Sequence, residues 1–254
     1  MRINIRSKWE IEAIRRSCII VKDVLNLLYE LLQPGVKTKE LDSKAEEYIM
    51  RSGGKPAFKG YRGFPATICV SINNELVHGI PDSRRVINEG DLVSIDVGVE
   101  MGGYYGDAAV TYAVGEVGDN IVKLMRAGQK SLMKAIESAK VGGCLYDISA
   151  SIEEVAKSEG YSVAIEYTGH GIGTALHEPP SVPNYGVRGT GPKLKKGMVL
   201  AIEPMIIDGS NNLVVANDGW TVYTEDGSMC VHYEHTVAIT EEGADILTDG
   251  IIWH

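Results

Sequence analysis

The chain has 254 residues, 44% of them hydrophobic and 23% charged, with a formal net charge of −9. That length accommodates one large domain or two small ones with a sizeable core, and its lysines and arginines do not gather into the basic groove that a nucleic acid requires. No apolar run reaches the ~20 residues of a membrane-spanning helix, the first residues lack the apolar stretch of a signal peptide, and Cys18, Cys69, Cys144 and Cys230 show neither CxxC nor zinc spacing, which reads as free thiols in a reducing cytoplasm.

Glu10 to Gln33 has the pattern of an amphipathic helix, with Ile14, Cys18, Val21, Leu25, Leu28 and Leu32 on one face and Pro34-Gly35 as its stop. Thr38 is the expected N-cap of a second helix, Lys39 to Arg51, which Gly53-Gly54 ends. The loop from Pro56 to Pro65 is rich in glycine and aromatics. Its Phe58, Tyr61 and Phe64 either fold back onto the core or line a pocket. Ile68, Val70 and Ile72 give strand alternation within Thr67 to His78, where a turn begins. A lone His at a strand end is more often an ordinary polar residue than a functional one.

From Gly90 to Asp107, Val93, Ile95, Val97 and Val99 alternate with Ser94, Asp96 and Gly98, and Met101 to Gly103 is a turn signal. Asp96 and Asp107 are symmetric about a point between Met101 and Gly102. A hairpin closing there sets the two carboxylates opposite each other on one face. Two such charges repel, and a hard divalent cation between them removes the cost. A solvated hairpin face is the competing reading, although Asp is depleted in strands. The hairpin ends near Gly115.

Ile121 to Ala139 reads as helical, and Asp147 or Ser149 is the expected cap of a further helix reaching Ser158. Tyr167 to Pro180 is rich in glycine and proline and carries His170 and His177, seven residues apart. Glycines on both sides of His170 let the backbone bend closely around a bound group. Taken alone, these imidazoles are either ligands or polar loop groups. Beyond Glu203, turn signals at Asp208-Gly209, Asp218-Gly219 (with Trp220 next) and Asp226-Gly227 imply short meandering strands up to Glu234.

The chain also repeats itself. Gly197 to Glu203 has the frame of Gly90 to Asp96, an offset of 107 that also relates Gly35 to Gly142, Leu41 to Ile148 and Gly53 to Gly160. The stretch from Tyr233 to Ala238 echoes Gly106 to Thr111. A diverged internal duplication follows. Each half runs helix, helix, then strands ending in two carboxylates, and a pseudo-twofold axis brings four acids to one centre. No linker divides the chain, so a single catalytic domain is expected over 1–254, with halves of about 1–115 and 116–254 sharing one core.

The set Asp96, Asp107, His170, Glu203 and Glu234 resembles the ligand set of the methionine aminopeptidases, and the segment from Tyr167 to Tyr185 resembles their type I signature. The resemblance covers essentially the whole chain. Glu203 follows His177 by only 26 positions, an interval in which type II enzymes carry an insertion, and the chain starts almost directly at its first helix, as in the short bacterial form. The resemblance implies an α+β pita-bread fold, with antiparallel sheets flanked by helix pairs around a dinuclear metal site. It implies two divalent ions (Co, Mn, Fe or Zn), with Asp96 on one, Asp107 and Glu234 bridging, and His170 with Glu203 completing the other. The implied activity removes the initiator methionine when the second residue is small, through attack of a metal-bridging hydroxide on the first peptide bond. His177 is implied at the oxyanion, His78 at the scissile amide and Glu203 as proton shuttle. Phe58, Tyr61, Phe64, Cys69, Leu176 and Trp220 are the candidate walls of the methionine slot, with core filling the alternative for Phe64 and Leu176. Phe58, Phe64 and Leu176 replace the Cys, Tyr and Phe of many bacterial members, which concerns pocket shape rather than chemistry. The implied partners are N-terminal Met peptides and nascent chains at the ribosome, acted on by a monomer. An X-Pro peptidase on the same fold, or a catalytically silent binding module, are the rival readings. The first usually carries a large N-terminal domain, and the second tends to lose ligands.

Overall fold

The computed structural model describes residues 3–253. Four long helices form: α1 (Lys8–Leu31), α2 (Thr38–Arg51), α3 (Asp119–Ser138) and α4 (Leu145–Ser158). α1 starts earlier than its apolar pattern suggests because Ser7 and Glu10 make a capping box. The Ser7 amide donates to Glu10 Oε2 at 2.8 Å and the Glu10 amide to Ser7 Oγ at 3.3 Å. Thr38 is the first residue of α2 rather than its cap. Its hydroxyl is engaged elsewhere, accepting from the Asp82 amide at 2.9 Å and donating to the Asp82 carbonyl at 3.1 Å. Asp147 lies in the first turn of α4 and reaches back to the Cys144 amide at 2.7 Å, so it closes the helix start from inside.

The strands are, in order, β1 (Lys55–Pro56), β2 (Ile68–Ile72), β3 (Glu75–Val77), β4 (Leu92–Met101), β5 (Tyr104–Ala113), β6 (Ser162–Val163), β7 (Thr168–Gly171), β8 (Glu178–Pro183), β9 (Val199–Ile202), β10 (Met205–Ile207), β11 (Leu213–Val215), β12 (Val222–Thr224), β13 (Cys230–His232), β14 (His235–Thr240) and β15 (Gly243–Ile246). All ladders between them are antiparallel. Two sheets dominate. In one, β4 pairs with β5 on one side and with β1 and β2 on the other; the second runs β15-β14-β9-β7-β8. α1 packs on β4 and β5, while α3 packs on α4 and on β9, β10 and β13. One apolar cluster runs through both halves of the chain, from Val21 and Leu25 through Ile95 and Val97 to Leu200 and Val237.

β8 occupies a stretch whose prolines read as loop. Pro179, Pro180 and Pro183 sit on the outer edge of the sheet, where a missing N–H costs no ladder bond.

The β4–β5 register differs from the sequence expectation by two residues. Met101 pairs with Tyr104 around Gly102-Gly103, both at positive φ (62° and 84°), the backbone of a two-residue hairpin turn. Asp96 therefore faces Ala109, and Asp107 faces Gly98. The aspartates are diagonal neighbours rather than opposites. A slip of two preserves side-chain parity, so both still point to one face.

Threonine side chains sew β5 to the C-terminal strands. Thr111 Oγ1 accepts from the His232 amide at 2.9 Å and donates to the His232 carbonyl at 3.0 Å. Thr236 Oγ1 donates to the Asp107 carbonyl at 2.7 Å. The Glu234 amide donates to the Ala109 carbonyl at 2.8 Å. These bonds fix Asp107 and Glu234 relative to one another across the seam.

Candidate metal centre

The strands deliver five side chains to one cavity of about 570 Å³. Asp96 and Asp107 come from the middles of β4 and β5, His170 from β7, Glu203 from the residue after β9, and Glu234 from the two-residue link between β13 and β14. Asp107, His170 and Glu234 bring one donor atom each within 4.8 Å of one another. His170 Nε2 lies 3.8 Å from Asp107 Oδ2 and 3.5 Å from Glu203 Oε1. His170 Nδ1 lies 2.9 Å from the Gly171 carbonyl, which can only accept. In the neutral ring, Nδ1 then carries the proton and Nε2 turns its lone pair toward the carboxylates.

Such a cluster is costly on its own. Burial drives the carboxyls toward their neutral forms, raising Asp96 to about 7 and Glu203 to about 7. Burial, then the charges of Asp96 and Glu203, push Asp107 well up. Burial, then Asp107, does the same to Glu234. Asp96 Oδ1, Asp107 Oδ1 and Glu234 Oε1 are buried without a hydrogen-bond partner. Buried polar atoms are nearly always paired, and three orphaned carboxylate oxygens beside an imidazole lone pair fit divalent cations. Oxygen and imidazole donors suit Mn, Fe, Co or Zn. Cys69 lines the same cavity, where burial first and Asp96 next hold its thiol well above the usual value in the absence of metal.

The apolar wall is built by a second cluster that includes Phe58, Phe64, Cys69 and Leu176, with Tyr61 and Trp220 against it. The Trp220 ring meets Phe64 edge-on at 5.1 Å. The Phe58 ring packs against Gly98, where any Cβ would run into it. Phe64 (4% exposed) and Leu176 (2%) fill core and also border the cavity.

His78 and His177 face the same cavity. His78 follows β3 with φ of +61°, a strained conformation for a non-glycine residue. The next position must be glycine, since a Cβ at Gly79 would collide with the Val70 carbonyl. The His78 ring stands edge-on to Tyr167 at 5.6 Å and to Trp220 at 6.2 Å. Burial lowers His78 to about 4 and His177 to about 3, so both rings are neutral near pH 7. His177 Nδ1 lies 2.9 Å from Tyr61 Oη.

Glu178 anchors the loop that carries His177. It accepts from the Thr174 and Ala175 amides at 2.8 and 3.0 Å and from Arg6 at 2.6 Å, with the Arg6 and Glu178 side chains 8% and 7% exposed.

His232 also borders the cavity, although no motif in the sequence singles it out. It is 2% exposed, with Nε2 3.6 Å from Glu203 Oε2. One signal does point to it: in an extended chain, His232 and Glu234 project to the same side.

The chain matches the model of metallopeptidase family M24 over residues 12–241. It is 50% identical to the methionine aminopeptidase of Clostridium acetobutylicum, over 97% of this chain and 98% of that one. A crystal structure of methionine aminopeptidase from Thermotoga maritima superposes with a TM-score of 0.96 at 46% identity, covering 97% of this chain and 99% of the other. The prolidase of Pyrococcus furiosus superposes with a TM-score of 0.79 at 30% identity, covering 96% of this chain but 65% of that one.

Proposed function

We propose a mechanism from one premise: the chain belongs to metallopeptidase family M24, as one of its methionine aminopeptidases. Its fold is the pita-bread fold of that family, and its activity is the metal-dependent removal of N-terminal methionine. The prolidases share the fold, but the likeness there is lower in both identity and coverage.

The observation that carries the reading of the centre is the convergence of Asp107, His170 and Glu234, with Glu203 and Asp96 beside them and three carboxylate oxygens orphaned. In our reading Asp96, Asp107, His170, Glu203 and Glu234 would together hold two divalent ions, Co, Mn, Fe or Zn. A pair of such ions supplies Lewis acidity at the scissile carbonyl, a site for the free α-amine, and water acidified toward neutral pH. The residues of the chain do the rest.

The slot bounded by Phe58, Tyr61, Cys69 and Trp220 takes the methionine side chain, whose thioether makes soft contacts with aromatic edges. His177, neutral and held by Tyr61, donates from Nε2 to the oxygen on which negative charge develops. His78, also neutral, reaches the nitrogen of the scissile bond and eases its departure. Glu203, a carboxylate at the centre, receives the proton given up by the attacking water. Leu176 and His177 crowd the space beyond the scissile bond, which favours a small second residue.

Four buried free cysteines support a reducing, cytoplasmic setting; no helix among the described residues is long and apolar enough to cross a membrane. We further read the chain as one catalytic domain, acting as a monomer on peptides and on nascent chains at the ribosome. Comparing kcat/KM over Met-Xaa-Ser peptides with a panel of metals tests the reading. Met-Ala and Met-Gly should be cleaved well, Met-Val weakly, and Met-Lys, Met-Leu and Met-Glu hardly at all. Equal cleavage of Met-Lys and Met-Ala would contradict the placement of Leu176 and His177 over the second residue.

A further inference from the structure

His232 is a buried imidazole with an unanswered ring nitrogen beside the centre. Its Nε2 has no hydrogen-bond partner. Its backbone is held on both sides, by the ladder to Met205 in β10 and by the two bonds to Thr111, whose hydroxyl is itself 2.7 Å from Ser94 Oγ. A side chain on so fixed a backbone has little freedom to turn away.

The two oxygens of Glu203 face different imidazoles. Oε1 lies 3.5 Å from His170 Nε2, on the side of Asp107, and Oε2 lies 3.6 Å from His232 Nε2. The second distance exceeds an ordinary N–H···O bond by about half an ångström, a gap that a small rotation of the carboxylate closes. We propose that His232 is a positioning residue: its Nε2–H donates to Glu203 Oε2, holding Glu203 in one rotamer with Oε1 turned toward the metal site. The hydrogen bond satisfies the orphaned nitrogen and divides the labour of the carboxylate, one oxygen to bind and one to be held. Groups of this kind orient metal ligands, and their loss weakens metal affinity by roughly ten- to hundredfold. The inference rests on Glu203 being a ligand, as read above.

The test is calorimetric titration of metal-stripped protein with Mn²⁺, with no substrate present. The native chain is compared with His232→Leu, His232→Asn, His232→Gln and Glu203→Gln. Leu removes the donor, Asn is too short to reach, and Gln places an amide N–H near the position of Nε2. Leu and Asn should each weaken at least one Mn²⁺ binding step by about ten- to hundredfold, and Gln should restore it to within about threefold. Asn and Gln alone suffice should the Leu variant fail to fold. Native affinity in His232→Leu or His232→Asn, with Glu203→Gln weakened, overturns the role of His232 and leaves the metal centre standing. Affinity as weak in His232→Gln as in His232→Asn overturns it too, since donation would not be what counts. Native affinity in Glu203→Gln would instead bring down the ligand assignment beneath it.

Discussion

Tyr61 Oη lies 2.9 Å from His177 Nδ1, joining the short turn before β2 to the loop before β8. Burial keeps the His177 ring neutral at pH 7, lowering it to about 3. The role proposed for His177 has the phenol donate to Nδ1, which leaves the single ring proton on Nε2. Tyr61→Phe removes that bias. The expected result is a fall in kcat of about three- to tenfold, the scale of one hydrogen bond of ~0.5–1.5 kcal/mol, with KM for Met-Ala-Ser nearly unchanged. A rise in KM without loss of kcat would mean that Tyr61 serves only as pocket wall.

In the proposed mechanism, His177→Ala removes the donor to the developing oxyanion. Turnover should fall by roughly 10²–10³, while metal content stays that of the native protein. Loss of bound metal in this variant would show that His177 is a ligand, and that the division of labour between the histidines is different.

The Arg6–Glu178 pair ties the N-terminal segment to the same loop. Arg6→Met leaves Glu178 nearly buried and short of a counter-charge. Stability should drop by about 2 kcal/mol, between the values for exposed and fully buried pairs, and kcat should fall as the His177 loop loosens. Denaturant unfolding and peptide kinetics together check this; unchanged stability would mean that the Thr174 and Ala175 amides suffice to hold Glu178.

In metal-stripped protein, Asp96 and Glu203 titrate near 7 rather than at their ordinary 3.8 and 4.5. Between those limits these two groups bind more protons in the folded state than in the unfolded one, so their contribution to stability falls as pH rises. His78 and His177, held neutral by burial, contribute in the opposite direction over the same range, so the native Tm is read against that of Asp96→Asn: in stripped protein, native minus variant should fall from pH 5.5 to pH 8, and added Mn²⁺ should raise the native Tm more at pH 8 than at pH 5.5 by occupying the deprotonated cluster. A difference that stays level or climbs would contradict the burial penalty at Asp96.

Much of the molecule is legible in its sequence because the signals are periodic. Four helices and the β4–β5 hairpin follow from apolar spacing, and the repeat at an offset of 107 is a property of the residues alone. The Asp96–Asp107 register is not legible in this way. Symmetry about Met101–Gly102 is a matter of residue count, whereas the hairpin closes on Gly102-Gly103 because both residues must take positive φ. β8 escapes a sequence reading because prolines suppress strand signals except on an edge, and edges are not written in sequence. His232 escapes it because a single His in a short strand carries no pattern; the Thr111 bonds and the ladder to Met205 place it beside Glu203.

The central claim is that Asp107 and its neighbours act by holding metal. Met-Ala-Ser turnover by metal-replete Asp107→Asn measures it most directly, because the change keeps shape and removes charge at a residue read as serving both ions. The expected result is at least a hundredfold loss of activity, roughly the scale of groups acting directly at the transition state, together with reduced metal content. Near-native turnover in Asp107→Asn would contradict the claim.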